Sequence, residues 1–150
     1  MYVIVVGCGQ IGYQLTKALL ASNNEVVVIE RDSRVAEQVA EEMGSVVIAS
    51  DGTEPSVLQE AGANRCDVLV ATTGSDANNL AACQVAKNSF HVPQAIAVVH
   101  DPQHVPLFNA LGVDVTINTT DLILSHIEGE LPTRPLVHLM PLKNLSLIHI

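Results

Sequence analysis

Val3-Ile4-Val5-Val6-Gly7-Cys8-Gly9-Gln10-Ile11-Gly12 decides the fold. Four apolar, mostly β-branched residues read as a buried strand. They run into Gly-x-Gly-x-x-Gly, and Gln10 to Ala21 then reads as a helix. Gly7 serves the tight turn, Gly9 the close approach of a pyrophosphate, and Gly12 the packing of helix on strand. The N–H groups that open a helix have no internal acceptor and sit at the positive end of its dipole, so an anion is favoured there. A second strand, Glu25 to Ile29, delivers Glu30 18 residues past Gly12, where a ribose diol would be gripped.

The rest of the chain repeats this unit. Arg34 to Met43 is a helix with Ser33 or Asp32 as N-cap and Gly44 just past its end. Ser45 to Ala49 is a third strand, and Pro55 to Ala61 a short helix stopped by Gly62. Asp67 to Ala71 is the fourth strand, followed by a helix from Asn78 to Asn88. Gln94 to Val99 and Val113 to Ile117 are strands, with a helix at Pro102 to Ala110 between them. Asp121 to Glu130 is the last helix, capped by Thr119 or Thr120. Strands alternating with helices through short loops specify an α/β fold: a Rossmann-like, doubly wound parallel sheet of six strands in the order 3-2-1-4-5-6, with helices on both faces. Its ligand crevice is expected where the strand order reverses.

Composition narrows the function. The net charge is −9, and the seven Lys and Arg residues form no patch, which argues against a nucleic-acid partner. No apolar run approaches the roughly 20 residues that span a bilayer, so no direct membrane insertion is expected. The N-terminus enters the first strand directly, so no signal peptide is expected. Cys8, Cys66 and Cys83 are odd in number and hold no Cys-x-x-Cys pair, which disfavours a disulfide framework or zinc site and suits a reducing cytoplasm.

Four stretches carry a resemblance to the regulator-of-potassium-conductance (TrkA-N) domains of potassium transporters and ligand-gated potassium channels. They are the glycine loop with Glu30; Ser50-Asp51-Gly52-Thr53-Glu54-Pro55 leading to Leu58-Gln59-Glu60-Ala61-Gly62; Asp67 to Leu80, which contains Thr72-Thr73-Gly74-Ser75-Asp76; and His100-Asp101-Pro102 followed by Leu107-Phe108 and Leu111-Gly112-Val113-Asp114. The resemblance covers residues 1–131. Residues 132–150 read as a linker and the first strand, Leu145 to Ile150, of a C-terminal domain that is missing or truncated. The resemblance implies a cytoplasmic regulatory domain that binds NAD(H) or an adenine nucleotide (ATP, ADP or AMP) and passes occupancy to a potassium pathway, reaching the inner membrane through that partner.

By that resemblance Gly7, Cys8, Gly9, Gln10, Ile11 and Gly12 face the phosphates and Glu30 the ribose. Asp51 and Gly52 border the adenine, and Thr72, Thr73 and Gly74 line the crevice beside strand 4. Some relatives that favour ATP have an arginine inside the glycine loop where this chain has Gln10, so a triphosphate loses a counter-charge here. Arg31 could neutralise a 2′-phosphate, but Glu30 would repel that group, so NAD is preferred to NADP.

Each site residue also has a plainer reading. Asp51 before Gly52 is ordinary turn chemistry. Cys8 at a helix N-terminus could carry a lowered thiol pKa, or be merely a small residue in a tight loop. Asp101 reads as an N-cap for the helix at Pro102. No histidine spacing suggests a metal, and no Lys, Tyr or His pair sits at catalytic spacing, so no enzyme is expected; an NAD-dependent oxidoreductase fragment is the alternative. A redox-responsive transcription factor fails for want of a helix-turn-helix and a basic surface. Assembly is expected as a homodimer or a ring-like oligomer. Ala81, Ala82, Val85 and Ala86 would admit a second helix, and Leu122, Ile123, Leu124 and Ile127 spread apolar surface around one helix. Either the 136–150 tail folds back over that surface or a second copy covers it.

Overall fold

A computed structural model describes residues 1–44 and 46–132. Ser45 and the expected strand at 145–150 lie outside the described residues. Six parallel strands form one sheet in the order β3-β2-β1-β4-β5-β6: β1 (Tyr2–Val6), β2 (Glu25–Glu30), β3 (Val46–Ala49), β4 (Val68–Ala71), β5 (Gln94–Val99) and β6 (Val115–Asn118). The order reverses at β1, which pairs Val3 with Val26 on one side and with Val68 on the other.

The two faces are covered by different helices. On one face Val3, Val5, Val26 and Val28 meet α1 (Gln10–Ala21) and α2 (Ser33–Met43) through Leu15, Leu19, Leu20 and Val39. On the other, Ile4, Val6, Ile29 and Leu69 meet α3 (Pro55–Glu60), α4 (Asp76–Phe90) and α5 (Val105–Ala110) through Leu58, Ala82, Ala86 and Phe108. Alternation along β1 thus feeds both cores, which is why that strand shows no polar face. Burying Phe108, 1% exposed, contributes about 2–3 kcal/mol.

Local chemistry sets most boundaries. Asp32 accepts the Arg34 N–H and caps α2, and Gly44 closes it at φ 61°. Asp101 accepts the Gln103 N–H and caps a 3-10 turn at Pro102–His104 that leads into α5. Several boundaries differ from expectation by a residue or two, and three have a visible cause or consequence. The α4 helix starts at Asp76, two residues early, because the Ser75 hydroxyl accepts the Asn78 N–H. The β6 ladder starts late: Val113 is buried, but its N–H goes to the Phe108 carbonyl. The last helix, α6 (Thr119–Glu130), includes both threonines expected to cap it.

The small residues of α4 require a further correction. Ala82 and Ala86 are fully buried in this chain's own core, with Val85 packed against it. They let α4 lie close to β4 and β5, and so are not free to admit a second helix. Residues 1–118 form one compact unit, and α6 belongs to a second. On α6, Leu122 and Ile123 are 59% and 60% exposed. No helix among the described residues is long and apolar enough to cross a membrane.

Candidate nucleotide-binding crevice

The crevice lies at the carboxyl ends of β1, β2 and β4, where the strand order reverses. Its floor is the glycine loop. Gly7 adopts φ +92°, and a Cβ there would sit 2.8 Å from the Thr73 Cγ2. At Gly12 a Cβ would sit 2.1 Å from the Gly7 carbonyl oxygen, inside any tolerable contact. At Gly9 a Cβ would meet nothing within 4 Å. Two glycines are therefore demanded by packing, while the third leaves open space above the start of α1.

That helix start is suited to an anion. Gly9 provides no side-chain cap, and the first turn of α1 holds no acidic residue. The α2 and α4 starts differ, each being capped by its own Asp32 or Ser75. The positive end of α1 is thus left for something outside the helix. Gln10 and Ile11 are exposed at this end, with Ile11 45% exposed.

Glu30 ends β2 and reaches the loop directly. One carboxylate oxygen accepts the Cys8 N–H at 2.6 Å and the other accepts the Asp32 N–H at 2.8 Å. The expected ribose ligand is therefore also the brace of the glycine loop, and a diol would have to share its lone pairs. Cys8 turns its side chain the other way. It is 4% exposed in the core with Val3, Val5 and Val39. Burial, followed by the Glu30 charge, pushes its thiol up to about 11, the reverse of the lowering a helix N-terminus would cause. Cys8 contributes its backbone to the crevice, and the redox-sensor reading has no thiolate to work with. Cys66 and Cys83 are buried likewise, with thiols pushed up to about 11 and about 12 by burial.

The loop after β3 joins the site through packing. Gly52 is buried, and a Cβ there would lie 2.5 Å from the Val6 Cγ1. The Asp51 carboxylate accepts the Thr53 N–H at 2.9 Å and its hydroxyl at 2.8 Å. These two bonds, with the Arg31 charge nearby, hold the Asp51 carboxyl below the usual range. Asp51 is thus a turn cap first, as its sequence context allowed. Arg31 is exposed.

The wall beside β4 is knitted by side chains. Thr72, 7% exposed, donates its hydroxyl to the Gly7 carbonyl at 2.9 Å, so it joins the two walls rather than facing the crevice. Thr73 is held by Asn79, and Gly74 is exposed with nothing within 4 Å of a built Cβ. Sequence reasoning missed Asn79, Asp76 and His104. Asp76 accepts the His100 and Asp101 N–H groups at 2.8 and 3.0 Å and the His104 Nδ1–H at 2.8 Å. Burial alone would raise the Asp76 carboxyl, but these three donors outweigh it and hold it below the usual range. No group of His, Cys, Asp and Glu among the described residues could hold a metal.

The model of the TrkA-N domain matches residues 3–119, from β1 through every loop of the crevice. The chain belongs to the TrkA-N family. A TrkA-N relative, a Trk system potassium uptake protein TrkA homolog of Methanothermobacter thermautotrophicus, is 34% identical over 137 residues, covering 91% of this chain and 62% of its own length. The Trk system potassium uptake protein TrkA of Mycobacterium tuberculosis is 36% identical, with 93% of this chain and 64% of that protein covered. This TrkA-N chain therefore spans less than two thirds of those relatives. Among solved structures, the TrkA-N domain of the inner membrane protein ybaL from Escherichia coli superposes with a TM-score of 0.78 at 21% identity, covering 84% of this chain and 93% of that one. The GsuK channel bound to NAD gives 0.77 at 22%, covering 85% and 23%. The Kef CTD of Shewanella denitrificans in its AMP-bound form gives 0.73 at 20%, covering 97% and 86%.

Proposed function

We propose that this chain is a nucleotide-sensing regulatory domain: it binds NAD(H) or an adenine nucleotide in the β1–β4 crevice and controls a potassium transporter or channel by ligand-dependent rearrangement. The observation that carries the reading is the open space above Gly9 at an uncapped helix start, with the Glu30 carboxylate at the end of the neighbouring strand. A phosphate fits the first and a ribose hydroxyl the second. Family membership supports the potassium pathway, through relatives named for Trk potassium uptake. Two similar folds, the NAD-bound GsuK channel and the AMP-bound Kef CTD, support the ligand class.

The chain acts by binding, a reading supported by the crevice amides around Gly9 and by relatives named for Trk potassium uptake. Nucleotide shifts the arrangement of paired copies only as far as its affinity differs between two states. The partner is then a membrane-embedded potassium pore, with this domain in the cytoplasm beneath it as a dimer or ring. Residues 1–118, one compact unit, carry every residue of the crevice.

Titration calorimetry with NADH, NAD, ATP, ADP and AMP tests the ligand. At least one should bind, and Glu30→Ala should weaken NADH by about 1.5–3 kcal/mol, the range for hydrogen bonds to a charged group. Undiminished NADH affinity in Glu30→Ala would remove the ribose assignment.

A further inference from the structure

Asn79 is fully buried in the second turn of α4. A buried amide must place two N–H groups and two lone pairs, and here all four are placed. Its Oδ1 accepts the Thr73 N–H at 2.9 Å and the Thr73 hydroxyl at 2.6 Å. Its Nδ2 donates to the Thr73 carbonyl at 3.0 Å and to the Val98 carbonyl at 2.8 Å. The orientation of the amide is therefore unambiguous, since reversing it would set oxygen against two carbonyls. Both peptide units of Thr73 are fixed by one side chain that is itself anchored on β5.

Thr73 is the residue against which Gly7 packs, and its carbonyl also accepts the His100 Nε2–H at 3.2 Å. The grip of Asn79 thus passes to the glycine loop on one side and to the loop after β5 on the other. Glu30 braces the same loop from the β2 side, through the Cys8 and Asp32 N–H groups, so the loop keeps that support when Asn79 is lost. In this sheet order a dinucleotide lies across the reversal, with one half over β2 and the other over β4 and β5.

We propose that Asn79 is a positioning residue for the half of a dinucleotide that extends past the pyrophosphate over β4 and β5. It acts through Thr73 and does not touch the ligand. This rests on the nucleotide reading above and adds which half of the ligand each wall serves. The prediction is selective: loss of Asn79 weakens NADH, which has both halves, and spares AMP, which has only the half held by Glu30.

Calorimetry with NADH and AMP at a temperature where circular dichroism shows each protein folded provides the test. Asn79→Leu keeps the volume and deletes all four bonds; NADH affinity should fall at least tenfold while AMP stays within threefold. Thr73→Val keeps the shape and deletes only the hydroxyl, and should show a smaller loss confined to NADH. An equal loss for both ligands, the signature of a merely structural role, overturns the proposal, as does unchanged NADH affinity in folded Asn79→Leu. If Asn79→Leu does not fold, Thr73→Val decides by the same criterion. A wild type that binds AMP but not NADH overturns the Asn79 role alone; one that binds neither overturns the nucleotide reading and this proposal with it.

Discussion

The two walls of the crevice are built on opposite plans. The β1–β2 wall is backbone: three glycines, an uncapped helix start and one carboxylate that reaches the Cys8 amide. The β4–β5 wall is side chain: Thr72, Thr73, Asn79, Asp76 and His104 bond to one another and to main chain until the buried amide has no group left over. One wall keeps polar backbone available for a guest, and the other spends its polar groups on itself. The difference teaches that a binding crevice can be half receptor and half scaffold. Substitutions should therefore fail differently: at the open Gly9 in affinity, and at Gly12 or Asp76, where the walls are packed and bonded, in stability.

Gly12 gives the largest effect because it stands where the walls meet. Alanine is favoured over glycine in a helix by about 1 kcal/mol. Yet its Cβ would lie 2.1 Å from the Gly7 oxygen and 2.8 Å from the Thr72 hydroxyl, and the backbone oxygen cannot yield cheaply. Gly12→Ala should lose about 3 kcal/mol or more in urea unfolding, the upper range for overpacking. A neutral or stabilised variant would show that the loop tolerates separation of its walls.

Asp76 comes next, and it carries a pH signature. Its folded pKa is depressed below the ordinary 3.8, so its contribution is present above that value and is lost as pH falls through the lower folded value. Asp76→Asn, which gives up charge-assisted bonds to two amides and His104, should cost about 1–2 kcal/mol at pH 7. The gap between wild type and variant should narrow below pH 3.8. A gap constant from pH 7 to pH 3 would mean that charge is not what holds that loop.

Gly9 should give the smallest stability change, and that makes it the sharpest contrast. Its φ of −75° suits any residue and its surroundings are open. Gly9→Ala should alter stability by no more than about 0.5 kcal/mol while weakening nucleotide, because the methyl stands where a pyrophosphate approaches. A large stability loss would place Gly9 with the scaffold instead.

The receptor wall was legible in the sequence and the scaffold wall was not. Gly7 and Gly12 announce themselves because only glycine meets the steric demand, Gly9 because it completes their spacing, and the strand before them fixes where the loop must sit. The strand order followed from the same alternation, and the observed sheet has it. Thr72 and Asn79 left no comparable trace. The Thr72 partner lies 65 residues away, and a contact at that separation makes no local period. A signal for Asn79 did exist: it occupies the stripe of Ala82, Cys83 and Ala86 on α4, a polar residue on a buried face. The sequence offers Glu30 as a candidate ribose ligand and gives no sign of its hold on Cys8, since a carboxylate at a strand end looks the same in both roles.

The Thr72 hydroxyl on Gly7 has a consequence for the order in which the molecule matures. Chain synthesis delivers β1, β2 and β3 first, and β1 pairs with β2 across a short span. Its pairing with β4 closes a loop nearly three times longer, at an added entropic cost of about 0.9 kcal/mol. The glycine loop is thus complete in covalent terms long before it is complete in shape, because the strut that sets Gly7 arrives with the second half of the sheet. A nascent chain ending before Thr72 holds the whole signature and lacks the finished cradle, so whatever the crevice takes up certifies that both halves have joined.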